Sequence, residues 1–171
     1  MAGWTLTLDR YVTAPPAVVW DVITDLEGTT RSLPGVVAVE RLSDDGPGAY
    51  APGTRWRETR RMFGQDATEE MVVAEVEPQR RTVIHAEHGA TRYVTGFELV
   101  PAGNGASADA TLLRFRFAAE PAPGTSGWRA RIGRAAGAIT APLGVAATRG
   151  AMRTELRQLA LIAEERAAVR G

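Results

Sequence analysis

The residues best suited to chemistry in this sequence lie on one predicted strand and the strand that follows it. Strand alternation places Trp56, Glu58 and Arg60 on one face of the first strand, and we expect Glu70 to share that face from the second. A buried guanidinium is tolerated only when carboxylates pair with it. We therefore predict a polar corner in an apolar pocket, where Arg60 binds a ligand carboxylate, carbonyl or phenolate and Glu58 and Glu70 orient it. The alternative is a ladder of cross-strand salt bridges on solvated strands.

Two histidines, His85 and His88, are the other candidates for acid–base chemistry. They are three residues apart on a predicted strand and its turn, so their side chains face opposite sides and predict no joint metal site. A surface position is favoured for both; the alternative places His88 at the pocket mouth, where an imidazole would exchange protons near neutral pH. The catalytic candidates are thus Arg60, Glu58 and His88. Cysteine is absent, which excludes disulfides and thiolate chemistry.

Aromatic and apolar residues at strand and helix spacing should form the rest of the pocket. Two late strands alternate clearly, with Tyr93, Thr95 and Phe97 on one inner face and Phe115 on the next. Plain core packing is the alternative reading for Trp56 and Tyr93. The full set of predicted ligand-binding residues is Trp56, Glu58, Arg60, Glu70, Tyr93, Thr95, Phe97, Phe115, Trp128, Met152 and Leu156.

The elements that would position these side chains are a strand, two short helices, six further strands and a long closing helix. The first strand is predicted over Trp4–Val12, and an amphipathic helix over Gly144–Arg170. Trp128–Ile139 is also predicted to be helical. The connections after the second strand are short, which favours an antiparallel sheet. The pattern predicts an α+β fold in one domain over residues 1–171, with seven curved antiparallel strands and the long helix packed across them.

Composition narrows the classes of partner. Twenty basic residues, all arginine, balance twenty acidic ones, so the zero net charge argues against a nucleic-acid-binding protein. No leader-like segment or long apolar stretch is present, which predicts a soluble, cytoplasmic, bacterial protein. No cofactor is predicted. Arginines near Trp128 could contact anionic lipid headgroups, but a solvated helix face is favoured. The sequence indicates no particular oligomeric state.

Several short motifs, taken in order, resemble the START-like superfamily, also called the SRPBCC or helix-grip family, which includes polyketide cyclase/dehydrase and lipid-transport-like proteins. These motifs are the segment 14–22 (APPAVVWDV) after the first strand, 33–36 (LPGV), 52–54 (PGT) and 76–81 (VEPQRR). The resemblance implies the helix-grip fold, with a deep apolar cavity between the sheet and the C-terminal helix.

The expected function is binding, and possible transport or sequestration, of a small hydrophobic ligand such as a lipid, polyketide or aromatic metabolite. One alternative is a polyketide cyclase or dehydratase, so the question of turnover stays open. Another is an accessory protein that uses the segment 128–139 at a membrane or a partner. Fold resemblance alone does not choose among these.

Overall fold

The computed structural model describes residues 4–62, 64–88, 91–103, 109–123 and 142–170. Its strands are β1 (Trp4–Val12), β2 (Val36–Arg41), β3 (Arg55–Met62), β4 (Gln65–Glu77), β5 (Arg81–His88), β6 (Thr91–Ala102) and β7 (Ala110–Pro121). Its helices are α1 (Pro16–Ile23), α2 (Thr29–Ser32) and α3 (Pro142–Arg170). This order confirms the predicted α+β helix-grip architecture. The helix predicted over Trp128–Ile139 lies outside the described residues.

The seven strands form one antiparallel sheet in the order β1-β7-β6-β5-β4-β3-β2. Strands β2 to β6 each pair with the next strand along the chain, while β1 pairs with β7. Consecutive strands β1 and β2 therefore lie at opposite edges, and α1 and α2 connect them. Register shifts occur on β2 between Val36 and Ala38 and on β4 between Val73 and Glu75. Such irregularities bend a strand, which fits the curvature of this sheet.

Helix α1 begins where two prolines end β1. Pro16 occupies the first helical turn, where its missing N–H breaks no helical hydrogen bond. The helix ends at Ile23, and a turn follows in which the Gly28 N–H donates to Asp25 Oδ1 at 2.9 Å. A Cβ at residue 28 would lie 2.2 Å from Asp25 Oδ2, so any other residue there would have to displace the Asp25 carboxyl group.

Helix α3 packs against α1 and β1 through its predicted apolar face. Ala160 and Ala163 are almost fully buried, and these small side chains let the helix approach its neighbours closely. The main core cluster joins them to residues of β1, α1 and β7, including Leu6, Val19 and Leu113. Each such fully buried leucine stabilises the fold by roughly 1.5–3 kcal/mol relative to an exposed one.

A second, smaller cluster lies towards the other edge of the sheet. It contains Leu26 from the turn after α1, Trp56 on β3, Val73 on β4 and Ile84 on β5. Phe97 on β6 packs against both clusters. The two clusters lie towards opposite edges of the same concave sheet face, and residues of both line a cavity between the sheet and α3.

Candidate functional site

A cavity of about 280 Å³ lies between the concave face of the sheet and α3. Its floor is formed by strands β3 to β7, and α1, α2 and α3 contribute the opposite wall. Most of the lining side chains are apolar: Val22, Ile23, Leu26, Leu33, Trp56, Met71, Ile84, Phe97, Phe115, Phe117, Ala151, Met152 and Leu159. The volume is close to the lower end of the usual range for ligand pockets, roughly 300–1,000 Å³.

Eight of the predicted ligand-binding residues line this cavity, which supports the strand-parity argument for β3, β6 and β7. They are Trp56, Glu58, Arg60, Tyr93, Thr95, Phe97, Phe115 and Met152. The structure thereby places the polar residues of β3 on the inner face. Trp128 lies outside the described residues.

Aromatic rings from β6 and β7 line the floor of the cavity. The rings of Tyr93 and Phe117 are stacked, with centroids 5.8 Å apart and planes 8° from parallel. Phe115 and Phe117 are also nearly parallel, with an interplanar angle of 6°. Phe97 tilts against Phe115 at 59°. A planar aromatic guest would fit this set, because aromatic rings pair favourably with one another.

Arg60 is the centre of an ion-pair network in the cavity wall. Its Nε donates to Glu58 Oε1, and its Nη1 donates to Glu155 Oε1 on α3. The other Glu58 oxygen accepts a hydrogen bond from Trp56 Nε1 at 3.3 Å. The side chain of Glu58 is only 6% exposed, against 26% for Arg60 and 18% for Glu155. The network fixes the middle of α3 to β3.

The positive charge of the Arg60 guanidinium is already balanced by neighbouring carboxyl groups. Burial acts to lower the pKa of Arg60, but the charges of Glu58 and Glu155 outweigh burial and the pKa lies above its ordinary value. Burial raises the pKa of Glu155, and Arg60 offsets only part of that rise. Arg60 therefore stays charged, and the network holds one carboxyl group more than its cation can balance.

Glu69 on β4 adds a further carboxyl group that the sequence analysis missed. It lines the cavity directly opposite Glu58 in the β3–β4 pair, and its side chain makes no hydrogen bond or ion pair with any described residue. Burial raises the pKa of Glu69; His88 and Arg60 lower it in part, while Glu58 raises it further. Burial also raises the pKa of Tyr93, and the charge of Glu69 adds to the rise.

The prediction that Glu70 faces the cavity is wrong. Glu70 lies on the outer face, where it accepts hydrogen bonds from Arg55 at 3.0 Å and Arg57 at 3.1 Å. The apolar series on β4 suggested the opposite parity, but the register shift between Val73 and Glu75 interrupts that series. Because cross-strand partners share a face, the residue opposite Glu58 is the one that points inward.

Leu156 also departs from its predicted position. It is buried in the core cluster and does not line the cavity, whereas Glu155 and Leu159 do. Neighbouring helix positions differ by about 100° around the axis, so Leu156 faces the core while Glu155 faces the cavity.

His88 is exposed at the end of β5 and is not a lining residue, which agrees with the favoured surface position and not with a place at the cavity mouth. It acts on the site through its electrostatic effect on Glu69. His85 is partly buried on the same strand. Within the described ranges, no group of three or more His, Asp or Glu side chains has a geometry that could hold a metal ion.

The chemistry available at the site is thus that of an apolar slot with an acidic corner. Four charged side chains meet there: the carboxyl groups of Glu58, Glu69 and Glu155, and the guanidinium of Arg60. Arg61 borders the same space, but its guanidinium turns outward to Asp66 at 2.8 and 3.1 Å.

Comparison with known proteins agrees with this geometry. The family model described as polyketide cyclase / dehydrase and lipid transport matches residues 3–164. The chain belongs to this family. No curated protein sequence matches it significantly. No helix within the described residues has the length and apolar character needed to cross a membrane.

Solved structures share the fold of this family member at low sequence identity. The aromatase/cyclase Zhui from Streptomyces sp. R1128 superposes with a TM-score of 0.68 at 16% identity, covering 99% of this chain and 96% of Zhui. A START superfamily protein from Mycobacterium smegmatis gives 0.63 at 17% identity, covering 98% and 99%. The di-domain ARO/CYC BexL from the BE-7585A biosynthetic pathway gives 0.65 at 20% identity, covering 96% of this chain and 50% of BexL.

Proposed function

We propose that this protein binds a small hydrophobic ligand with a planar aromatic or polyketide-like body in the cavity between the sheet and α3. The observation that carries the proposal is the largely apolar, aromatic-lined cavity of about 280 Å³ with one charged corner. Burying the apolar surface of a ligand supplies the affinity, and the few polar groups fix its orientation. Membership of the polyketide cyclase/dehydrase and lipid transport family supports the same class of ligand.

The charges at the polar corner favour a ligand that is uncharged or carries an amine. The Arg60 guanidinium is already paired with Glu58 and Glu155, so a ligand carboxylate that bound there would displace one of these carboxyl groups. Glu69 has no partner among the described residues, and its carboxyl group accepts a hydrogen bond from a ligand hydroxyl or ammonium group. We therefore assign Glu69, rather than Glu70, as the group that orients the ligand.

The test is to fill the cavity and measure binding of a neutral aromatic probe. Thr95 lies on the floor beside Tyr93 and Phe97. Naphthalenemethanol should bind the native protein in isothermal titration calorimetry, and Thr95→Phe should abolish the binding by occupying the space. Thr68→Phe is the matched control, because Thr68 is exposed on the outer face of β4 and contacts Thr59. Equal binding by Thr95→Phe and native protein would refute the cavity as the site.

A second candidate function is cyclisation and dehydration of a poly-β-keto chain. It is favoured by the position of Glu69 in the cavity and by its raised pKa, since a carboxyl group that holds its proton more tightly than usual is a better candidate for donating it to a carbonyl. The experiment is to measure conversion of a poly-β-keto thioester into cyclised product in the presence of the native protein or of Glu69→Gln. Product formation above the spontaneous rate that Glu69→Gln removes would establish this function; no acceleration by the native protein would exclude it.

A further inference from the structure

A second concavity, open to solvent, lies where β1 meets the first half of α3. Its volume is about 600 Å³, and it shares no lining residue with the ligand cavity. Four arginines line it: Arg10, Arg149, Arg153 and Arg157. We call it the arginine groove. The remaining lining residues are Thr7, Leu8, Asp9, Thr154 and Leu156.

Helix periodicity and strand alternation bring these four guanidinium groups together. Arg149, Arg153 and Arg157 follow one another at intervals of four, which places them on one face of α3. Arg10 comes from the strand that α3 packs against. It holds the alternate position after Leu8, on the face of β1 that is otherwise apolar. A charged residue at that position is unexpected for packing alone.

The groove arginines differ from most other arginines in having no acidic partner. Ten arginines of this protein form ion pairs with Asp or Glu within the described residues: Arg41, Arg55, Arg57, Arg60, Arg61, Arg81, Arg92, Arg114, Arg166 and Arg170. None of the four groove arginines forms an ion pair with a described residue. The one acid in the groove, Asp9, binds Arg114 through two hydrogen bonds of 2.9 and 3.0 Å.

The side chain of Arg10 provides a second observation that favours an anion in the groove. Its Nε is buried and has no hydrogen-bond partner among the described residues. A buried N–H donor without an acceptor is costly, and like charges four residues apart on a helix repel each other. An anion in the groove would supply acceptors to these donors and relieve the repulsion on α3.

We propose that the arginine groove binds the phosphate group of a phosphorylated ligand or of a lipid headgroup. The guanidinium fork matches phosphate geometry with paired hydrogen bonds, and four cations favour an anion that carries more than one charge or is repeated on a surface. The site is separate from the hydrophobic cavity and does not depend on what the cavity holds.

The first arm of the experiment uses pyrophosphate as the probe for a free phosphate. Native protein should bind it in calorimetry at low salt, and Arg153→Gln/Arg157→Gln should weaken the binding at least about tenfold, because two charge-assisted contacts are lost. Arg31→Gln/Arg80→Gln is the matched control. It removes the same charge from two exposed arginines that form no ion pair with a described residue and lie outside the groove. This control should bind like native protein.

The second arm uses vesicles of phosphatidylcholine with and without phosphatidylglycerol. Co-sedimentation with only the anionic vesicles, lost in Arg153→Gln/Arg157→Gln and kept in the control, identifies a lipid headgroup as the source of phosphate. Pyrophosphate binding without vesicle binding identifies a free phosphorylated ligand. Binding to neither probe, or equal weakening in the groove variant and the control, overturns the proposal.

Discussion

Glu58 on β3 and Glu69 on β4 lie directly opposite each other in the antiparallel pair, and both line the cavity. Like charges at opposed positions destabilise a sheet by roughly 0.2–1 kcal/mol. Arg60 screens Glu58 through a hydrogen bond, but it makes none with Glu69. The fold thus tolerates an unpaired acid at the position where a ligand would meet it, which is typical of a site shaped by binding and not by stability alone.

Replacing Glu69 with glutamine should stabilise the protein at neutral pH, by up to about 1 kcal/mol. The raised pKa means that the folded state holds the Glu69 proton more tightly than the unfolded state does. The group therefore favours folding below its ordinary pKa of 4.5, and this contribution is lost as pH rises through the folded-state value. The gain from Glu69→Gln should shrink on acidification towards 4.5 in urea unfolding experiments.

The neighbouring variant Glu70→Gln is the control for that measurement, because it removes the same charge from the outer face. Glu70 accepts hydrogen bonds from Arg55 and Arg57. These interactions, chiefly the hydrogen bond from Arg57, hold the pKa of its carboxyl group below the ordinary value. Glu70→Gln should therefore lower the unfolding free energy slightly at neutral pH. A stabilising effect of both variants would show that net charge, and not the pair Glu58–Glu69, is responsible.

Arg60→Met should destabilise the protein by about 3 kcal/mol, because it leaves Glu58 and Glu155 buried without a cation. Arg61→Met changes the adjacent residue on the outer face, where both Arg61 and its partner Asp66 are largely exposed. Loss of such a surface pair should cost far less than loss of the buried network, because solvent screens exposed charges. Chemical denaturation of the two variants gives the comparison, and equal losses would contradict the buried network.

Removing the charges of Glu58 and Glu155 as well should recover most of the stability lost in Arg60→Met. In Glu58→Gln/Arg60→Met/Glu155→Gln no ionised group of the network remains, and replacing a whole buried ion network by neutral residues is often close to neutral in stability. The triple variant should therefore unfold at a higher denaturant concentration than Arg60→Met alone. An unfolding midpoint at or below that of Arg60→Met would show that the arginine stabilises the fold by packing and not by pairing.

Three naphthalene probes of nearly equal size should bind in an order set by their charge. Naphthylmethylamine and naphthalenemethanol should bind more tightly than naphthoic acid, because three carboxyl groups and only one guanidinium meet at the cavity corner. Glu69→Gln should weaken the amine selectively and leave the alcohol within about threefold, since an amide still offers an acceptor but no charge. Calorimetry with each probe measures this order, and tightest binding of naphthoic acid would contradict it.

Residue patterns within single strands and helices predicted much of the site. Alternation on β6 and β7 gave the correct inner faces for Tyr93, Thr95, Phe97 and Phe115. The pattern on β3 did the same for Glu58, although charged residues on an inner face carry no apolar signal of their own. Local periodicity is sufficient there because each of these strands keeps one register along the part that lines the cavity.

The errors arose where pairing between elements, and not the pattern within one element, sets the geometry. On β4, the shift between Val73 and Glu75 changes which residues point inward, and pairing of β4 with β3 selects Glu69 over Glu70. Glu155 is 95 residues from Arg60, so their ion pair depends on how α3 crosses the sheet. No periodicity in the chain reports that crossing. The β3–β4 hairpin, by contrast, contains a usable signal: counting pairs from its turn at Gly64 places Glu69 opposite Glu58.

The central claim, that a hydrophobic ligand lies between the sheet and α3, is tested most directly by nuclear magnetic resonance of labelled methionine methyl groups. Met71 on β4 and Met152 on α3 both line the cavity from opposite sides, and Met71→Leu and Met152→Leu assign their signals. Addition of naphthalenemethanol should shift both methyl resonances together, because the ring current of one bound probe reaches both walls. Unchanged resonances of Met71 and Met152 at saturating probe would contradict the proposed binding site.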